Sequence, residues 1–343
     1  MKKIILLGVS FIILFASCKK EDSIPAGKYD NGLIFLNEGA FGNGAGSISF
    51  WDRSSKTTIT DIYANENNGA KLGNILQSMT QVGDELYFVV NNSNRIVITD
   101  KNFKYKSQID SLELPRNMIE YNGKAYVSQW GKDGLSGSLA IIDLKSKTII
   151  KKIALGKGPE NLLLDGNNLY VSMVGGYDKD NRIFKVNLSN EAVSTIEVSD
   201  NPSQLLKLNN AIWVLCKGYF DFVNPLNSTN GYILKLEDDK VTKSYSLNSQ
   251  AESMVLTPDN KYFYYLDGGY PFVFDIASST SKTIGGISKY IYKLGFDNIS
   301  KRVLLSDPLD YSSNGRVYFM NDQFQLVDST NAGIIPTAFY QIQ

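Results

Sequence analysis

Short apolar runs separated by polar turns recur along almost the whole chain. Typical runs read LYFVV, KAYVSQ, LYVSMV and AIWVLC, and each is bounded by Gly, Asn, Asp or Lys. Runs of Val, Ile, Leu, Tyr and Trp with such boundaries are typical of β-strands, and no segment shows a sustained helical period. The pattern therefore predicts an all-β protein.

The runs group into repeated units of four strands. A first strand such as ENLLLDG is followed by a short polar turn, a second strand, a longer loop, a third strand and a more polar fourth strand. The equivalent anchor residues of the second strands are Phe35, Tyr87, Tyr126, Tyr170, Trp213, Phe263 and Val303. Subtracting neighbouring numbers gives spacings of 39 to 52 residues. Four strands in about 45 residues is the period of a propeller blade, so residues 30–343 are predicted to form a seven-bladed β-propeller of antiparallel blades.

The two ends of this repeat are complementary. The first unit lacks a first strand, whereas the C-terminal IPTAFYQIQ matches the first strands of other units. In each case a proline precedes the equivalent apolar residue by three positions, as Pro115 precedes Met118 and Pro336 precedes Phe339. Residues 335–343 are therefore predicted to complete the first blade, which would remove the exposed edges of an open stack.

The N-terminal segment predicts export and lipidation. Lys2 and Lys3 precede an apolar stretch too short to span a bilayer comfortably, and Ala16 and Ser17 come directly before Cys18. This resembles a bacterial lipobox, so residues 1–17 are predicted to be a signal peptide, Cys18 the lipidation site and residues 18–29 a tether. An ordinary secretory signal is the alternative. The charges of residues 19–22 resemble the export tag of surface lipoproteins of the Bacteroidetes, which implies display on the outer membrane. A solvated linker is the alternative for these four residues.

Composition removes several functional classes. Lys and Arg total 35, as do Asp and Glu, and no basic run follows the tag. Nucleic-acid binding is therefore not expected. Histidine is absent, which excludes Ser-His-Asp hydrolysis and His-ligated zinc. Asp178 begins a stretch that resembles a calcium loop, but the sixth position lacks Gly and the twelfth is Ser189. We predict no metal, no cofactor and no catalytic residue.

One face of the propeller is predicted to bind a ligand. In this fold the loops between second and third strands share a face with the connections between blades, and these segments are long and rich in aromatic and amide side chains. The predicted loop contacts are Phe41, Asn43, Trp130, Tyr177, Tyr219, Phe220, Tyr270 and Tyr311. The predicted contacts at the starts of first strands, around the central channel, are Gln77, Arg116, Asn161 and Gln204. The alternatives are packing of the aromatic rings on the blades and capping of backbone groups by the polar side chains.

Two segments resemble known families. PENLLLDGNNLYVSMVGG followed by IFKVNL resembles the YVTN-type, YncE-like β-propellers, and LNEGAFGNGAGSISFWD resembles the BtuG-type lipoproteins. The second resemblance implies a surface protein that captures cobalamin, or a related corrinoid, for a TonB-dependent outer-membrane transporter. The corrinoid would be a ligand rather than a cofactor.

Two other functions stay open at this point. The first is a surface propeller that binds glycan or protein and has no role in transport. The second is a propeller hydrolase or lyase, for which Glu38, Asp178, Asp180, Asp221 and Asp310 would supply carboxylates. Nothing in the sequence pairs these carboxylates, so we expect a protein that is not an enzyme.

Overall fold

The computed structural model describes residues 27–42, 44–248, 250–287, 289–323 and 325–342. The predicted signal peptide, Cys18 and most of the tether lie outside these residues, as does Asn43. Within them the chain forms seven sheets of four antiparallel strands each. The predicted seven-bladed β-propeller is confirmed.

The first four blades follow one another along the chain. Blade 1 contains β1 (Gly32–Asn37), β2 (Ser47–Asp52) and β3 (Thr58–Ile59), followed by helix α1 (Ile62–Glu66). Blade 2 contains β4 (Leu76–Val82), β5 (Glu85–Val90), β6 (Arg95–Asp100) and β7 (Tyr105–Ile109). Blade 3 contains β8 (Pro115–Tyr121), β9 (Lys124–Gln129), β10 (Gly137–Asp143) and β11 (Thr148–Gly156). Blade 4 contains β12 (Pro159–Asp165), β13 (Asn168–Met173), β14 (Arg182–Asn187) and β15 (Val193–Glu197).

The last three blades repeat the same order. Blade 5 contains β16 (Pro202–Leu208), β17 (Ala211–Cys216), β18 (Tyr232–Glu237) and β19 (Lys240–Ser246), with a 3-10 turn at Pro225–Asn227. Blade 6 contains β20 (Ala251–Leu256), β21 (Tyr262–Asp267), β22 (Tyr270–Asp275) and β23 (Thr280–Thr283). Blade 7 contains β24 (Lys293–Asp297), β25 (Arg302–Asp307), β26 (Asn314–Met320) and β27 (Leu326–Ile334).

The final strand, β28 (Pro336–Tyr340), closes the ring. It pairs antiparallel with β1, so that Phe35 lies opposite Phe339, and their rings meet edge to face at 5.6 Å. A second link joins the ends, because the Arg53 guanidinium makes two bonds, of 2.5 and 2.7 Å, to the carboxylate of Asp297 in blade 7. The predicted closure by the C-terminal strand is confirmed.

The propeller has no single central hydrophobic core among its described residues; its buried apolar side chains lie between neighbouring blades. Each cluster of buried side chains joins two neighbouring blades, as where Tyr87 and Ile98 of blade 2 pack with Val127 and Ile142 of blade 3. Seven such clusters account for the seven junctions. The alternating strands therefore bury both faces of each blade, and the fourth strands stay largely exposed at the rim, as β19 does.

Two local features depart from the sequence analysis. Tyr29, placed there in the tether, is only 3% exposed and packs edge to face on Phe50 and Phe103, so the packed domain begins before residue 30. The connection in blade 6 is also not a long loop. Gly268 and Gly269, at φ of 59° and 81°, form a two-residue hairpin, which places Tyr270 in strand β22.

Candidate functional site: the mouth of the central channel

We call the face that carries the second-to-third-strand loops and the blade connections the top face, and the opposite one the bottom face. A cavity of about 550 Å³ occupies the channel at the top face. Every blade contributes at least one polar side chain near the start of its inner strand, and we call the first of these from each blade the polar belt. Its members are Thr337, Gln77, Arg116, Glu160, Ser203, Glu252 and Lys293.

Irregular strand starts explain why the inner strands expose so many polar groups. The register of β8 against β9 shifts between Pro115 and Met118, and that of β12 against β13 shifts between Pro159 and Leu162. A bulge breaks the usual alternation of side chains between the two faces of a strand. Consecutive residues such as Glu160 and Asn161 therefore both reach the cavity.

Blades 3 and 4 are joined at the mouth by a charged cluster around Trp130. The Arg116 guanidinium donates to both oxygens of Glu160, at 2.8 and 3.0 Å, and lies 4.4 Å from the centre of the Trp130 ring. The indole N–H of Trp130 donates to the same carboxylate at 2.9 Å. Burial lowers the pKa of Arg116, but the charge and hydrogen bonds of Glu160, together with the charges of Glu38 and Tyr292, leave that pKa raised. One face of Trp130 is thus covered by Arg116 and does not form an open stacking surface.

A second charged cluster lies on blades 5 to 7. The Lys217 ammonium is 2.5 Å from a carboxylate oxygen of Glu252, and Lys293 acts on the same carboxylate from further away. Burial raises the pKa of Glu252, yet the two positive charges outweigh it and leave that pKa lowered. Glu252 is therefore an ionised member of an ion cluster and lacks the raised pKa of a general acid.

The predicted channel residues with side-chain amides differ in whether those amides bond the next blade. Asn161 accepts the backbone N–H of Leu205 at 3.0 Å, and Gln204 bonds both the N–H and the carbonyl of Met254. These two side chains tie their blades to the next, which is the capping role left open above. The side-chain amide of Gln77 lines the cavity and has no hydrogen-bond partner among the described residues.

Tyr292, directly before the inner strand of blade 7, is a partly buried tyrosine that contacts Glu38 of blade 1. The Tyr292 hydroxyl donates to Glu38 at 3.1 Å, and the Thr337 hydroxyl donates to the same carboxylate at 2.8 Å. Burial raises the pKa of Tyr292, and the charge of Glu38 raises it further. Tyr311 packs edge to face on Tyr292 at 6.0 Å, so the predicted contact Tyr311 is held by the wall of the mouth.

Of the predicted loop aromatics, only Trp130 lines the cavity. Phe41 is 85% exposed and Tyr177 is 71% exposed, although Tyr177 also meets Trp130 edge to face at 5.8 Å. Tyr219 is half-buried beneath the Lys179 ammonium, 5.2 Å from its ring centre. Exposed rings also include Phe220 and Tyr270. The cavity itself is lined by Gln77, Arg116, Trp130, Asn161 and Gln204 of the predicted set.

The long loop of blade 5 presents an apolar tip. Phe222, Val223 and Leu226 are 88%, 95% and 94% exposed. The loop is nevertheless well bonded, because Asp221 accepts the N–H groups of Val223 and Asn224, each at 2.9 Å. Its shape is fixed while its apolar side chains face solvent, which is unusual for a surface without a partner.

The stretch that resembles a calcium loop is neutralised by the protein itself. Asp180 makes two bonds to the Arg182 guanidinium, at 2.8 and 2.5 Å, and Asp178 is 2.5 Å from the Lys157 ammonium. Among the described residues no group of three or more Cys, Asp or Glu side chains is placed to hold a metal ion. Nor does any helix in that part of the chain have the length and apolarity to cross a bilayer.

A family model matches residues 31–287, and its description is "Domain of unknown function (DUF5074)". The chain belongs to the DUF5074 family. No curated protein matches the sequence.

Solved structures resemble the whole propeller at low sequence identity. A quinonprotein alcohol dehydrogenase-like protein from Bacteroides thetaiotaomicron has a TM-score of 0.67 at 16% identity, over 91% of this chain and 78% of that one. A putative 6-phosphogluconolactonase from Bacteroides uniformis has a TM-score of 0.62 at 14% identity, over 91% and 99%. A functionally unknown protein from Desulfotomaculum acetoxidans has a TM-score of 0.63 at 11% identity, over 89% and 99%. At such identities the likeness concerns the fold.

Several residues that line the cavity were not among the predicted ligand contacts. Glu160, Ser203 and Thr337 directly follow the prolines that begin inner strands, just as Arg116 does. That regular position was a usable signal. Lys217 could not be found this way, because it follows β17 and reaches the mouth from a second strand.

Proposed function

We propose that this DUF5074 protein is a lipid-anchored, surface-exposed binding protein that captures a cobalamin-like corrinoid at the top-face mouth and delivers it to a TonB-dependent outer-membrane transporter. The observation that carries the proposal is the arrangement of the mouth. A polar cavity of about 550 Å³ opens on the top face, and the loops of several blades on that face carry exposed aromatic side chains. Aromatic walls with a few polar groups are typical of sites for small ligands.

The chemistry of a corrinoid matches both parts of this arrangement. A corrin is a broad plate with apolar faces and a rim of amide arms. Exposed rings such as Phe41 and Tyr177 would cover the apolar plate. Gln77 and the charged members of the polar belt would bond the amides, which both donate and accept. Without histidine the chain has no imidazole to offer as an axial ligand of cobalt.

The engagement of the channel carboxylates supports binding rather than catalysis. Glu160 is bonded to Arg116, Glu252 to Lys217, and Glu38 to two hydroxyls. A general acid or base works best with a pKa near the operating pH, and the lowered pKa of Glu252 is opposite to what an acid needs. We therefore propose that the protein is not an enzyme.

Calorimetric titration with cyanocobalamin tests the proposal. We expect saturable binding of one ligand per chain and a pink protein after gel filtration. No heat and no retained colour would reject the corrinoid and would favour the alternative of a surface propeller for glycan or protein. The apolar tip formed by Phe222, Val223 and Leu226 is the specific feature that favours a protein contact in that case.

Anchoring has its own test at Cys18, the predicted lipidation site. A single acyl chain holds a protein only marginally, whereas several hold it firmly. Cys18→Ala should abolish labelling by a fatty-acid analogue and release the protein from the membrane fraction. Continued attachment as tight as that of the wild type would contradict the lipobox interpretation, and protease accessibility on intact cells would test surface display.

A further inference from the structure

The charged side chains that line the cavity do not all have partners. Three cations, Arg116, Lys217 and Lys293, face three carboxylates, Glu160, Asp178 and Glu252. Arg116 pairs with Glu160 and Lys217 with Glu252, while Asp178 pairs with Lys157 outside the cavity. Among the described residues no carboxylate oxygen lies within the 4.0 Å ion-pair distance of the Lys293 ammonium. Lys293 is therefore the cation of the lining that has no ion-pair partner among the described residues.

The position of Lys293 is fixed although its charge is unpaired. Its backbone N–H donates to the Ser306 hydroxyl at 2.9 Å at the start of β24. Its ammonium lies 5.2 Å from the centre of the Tyr292 ring, a distance at which the ring attracts a cation. The lysine is thus held at the wall of the mouth.

Two carboxylates of the mouth, Glu252 and Glu38, make their direct contacts with groups other than the Lys293 ammonium. The Glu252 carboxylate forms an ion pair with Lys217 at 2.5 Å, and the Lys293 ammonium acts on the same carboxylate only from further away. Glu38 accepts its bonds from the hydroxyls of Tyr292 and Thr337. An anionic group entering the cavity would accept a bond from the unpaired Lys293 ammonium, and bonds between two charged groups are stronger than neutral ones.

We propose that Lys293, with Lys217 beside it, forms a subsite for a singly charged phosphate ester of the bound ligand. This inference rests on the proposed function, because in a complete corrinoid such a group is the phosphodiester of the nucleotide loop. The subsite would distinguish complete corrinoids from those without the loop. The aromatic side chains of the mouth would contact both kinds alike.

The test compares two ligands and two lysine variants by calorimetry. Cyanocobalamin contains the phosphodiester, whereas dicyanocobinamide has the same corrin without it. Lys293→Gln removes the charge at the subsite, and Lys261→Gln removes an exposed lysine charge from the turn between β20 and β21 on the bottom face. We expect Lys293→Gln to weaken cyanocobalamin binding about tenfold and to change dicyanocobinamide binding less than about twofold. Lys261→Gln should change neither, and thermal melts should show all three proteins folded.

The outcomes separate this inference from the function on which it rests. Equal weakening of both ligands by Lys293→Gln, or no weakening of either, would overturn the subsite and leave corrinoid binding intact. Failure of the wild-type protein to bind either ligand would overturn both proposals.

Discussion

The turns of the bottom face and the loops of the top face connect the same strands, but they differ in which side chains they expose to solvent. In the bottom turn of blade 3, Asp143 accepts the N–H and the hydroxyl of Ser146, at 2.7 and 2.9 Å. Asp52 and Asp275 repeat this geometry in blades 1 and 6. These turns satisfy their own polar groups in a few residues and present no large apolar side chain.

The top loops contain similar turns but also extend beyond them. Asp133 in blade 3 accepts bonds from Leu135 and Ser136 just as Asp143 does from Ser146. The same loop begins with Trp130 and contacts the neighbouring loop, where the ring of Tyr177 packs on Gly134. The difference teaches that turn chemistry is common to both faces, whereas most of the exposed aromatic side chains among the described residues lie on the top.

The largest effect, on thermal stability, is expected from removing the strand that closes the ring, because both faces are built on the closed ring. Deleting residues 335–343 removes β28 and the packing of Phe339 on Phe35. Truncating a fully buried Phe costs about 3–5 kcal/mol. Phe339 is only partly buried, but the whole strand pairing with β1 is lost as well, so the melting temperature should fall by about 10 °C or more. Differential scanning calorimetry measures this fall.

Tyr340→Phe is the matched control for the closure. It removes only the hydroxyl that accepts the Met79 N–H at 3.1 Å, which should cost about 1 kcal/mol. A deletion no more harmful than Tyr340→Phe would show that closure by the C-terminal strand is not needed for stability.

A smaller effect, confined to binding, is expected from Trp130→Ala. The indole connects Arg116, Glu160 and Tyr177 at the mouth. Loss of an apolar contact of about 1.5–3 kcal/mol should weaken cyanocobalamin roughly ten- to a hundredfold, with the fold retained because the loop lies outside the blade core. Titration calorimetry gives the affinity and circular dichroism the fold.

Trp130→Phe sharpens the interpretation. It keeps a ring and loses the N–H bond to Glu160. Recovery of most of the affinity would assign the effect to the ring, whereas a loss as large as that of Ala would assign it to the position of the carboxylate. Unchanged binding in both variants would remove Trp130 from the site.

The smallest effects are expected from Ala substitutions at Asp133 and Asp143, which lie in a top loop and a bottom turn of the same blade. Bonds from the Ser136 hydroxyl and from the Leu135 and Ser136 N–H groups lower the pKa of Asp133 to about 2. Because this pKa is lowered on folding, the carboxylate stabilises the loop above its ordinary pKa of about 3.8, and the contribution is lost as pH falls toward about 2. The pKa of Asp143 is lowered by bonds from Ser146, so both Ala variants should melt slightly lower at pH 7 and differ less from wild type near pH 2.

Binding should then distinguish the two turns. Asp133→Ala should weaken cyanocobalamin a few-fold by loosening the loop of Trp130, while Asp143→Ala should leave the affinity unchanged. Equal effects of the two substitutions on affinity would contradict the division between the faces.

The sequence was sufficient for the architecture because each blade repeats its own strand and turn pattern. Pro336 and Phe339 matched the starts of other inner strands, so even the closure was predictable. The site was predicted only in part. Asn161 and Gln204 reach the channel, but their amides bond the next blade, and this choice depends on where Leu205 and Met254 lie in space.

The ion pairs of the mouth could not be predicted from the sequence either. Lys217 and Glu252 are 35 positions apart, by subtraction, and Arg116 and Glu160 are 44 apart. Such pairs form because the ring places neighbouring blades side by side. The two-residue turn before Tyr270 was the one connection whose length was misjudged, although its Gly-Gly pair is a recognised hairpin signal.

The most direct test of the central claim compares aromatic side chains on the two faces. The double variant Phe41→Ala, Tyr177→Ala removes exposed rings around the mouth, and Tyr105→Ala removes an exposed ring from β7, just after the bottom turn of blade 2. Titration with cyanocobalamin should show the double variant weakened at least about tenfold and Tyr105→Ala equal to wild type. Equal affinities of all three proteins, or a loss confined to Tyr105→Ala, would contradict binding at the top face.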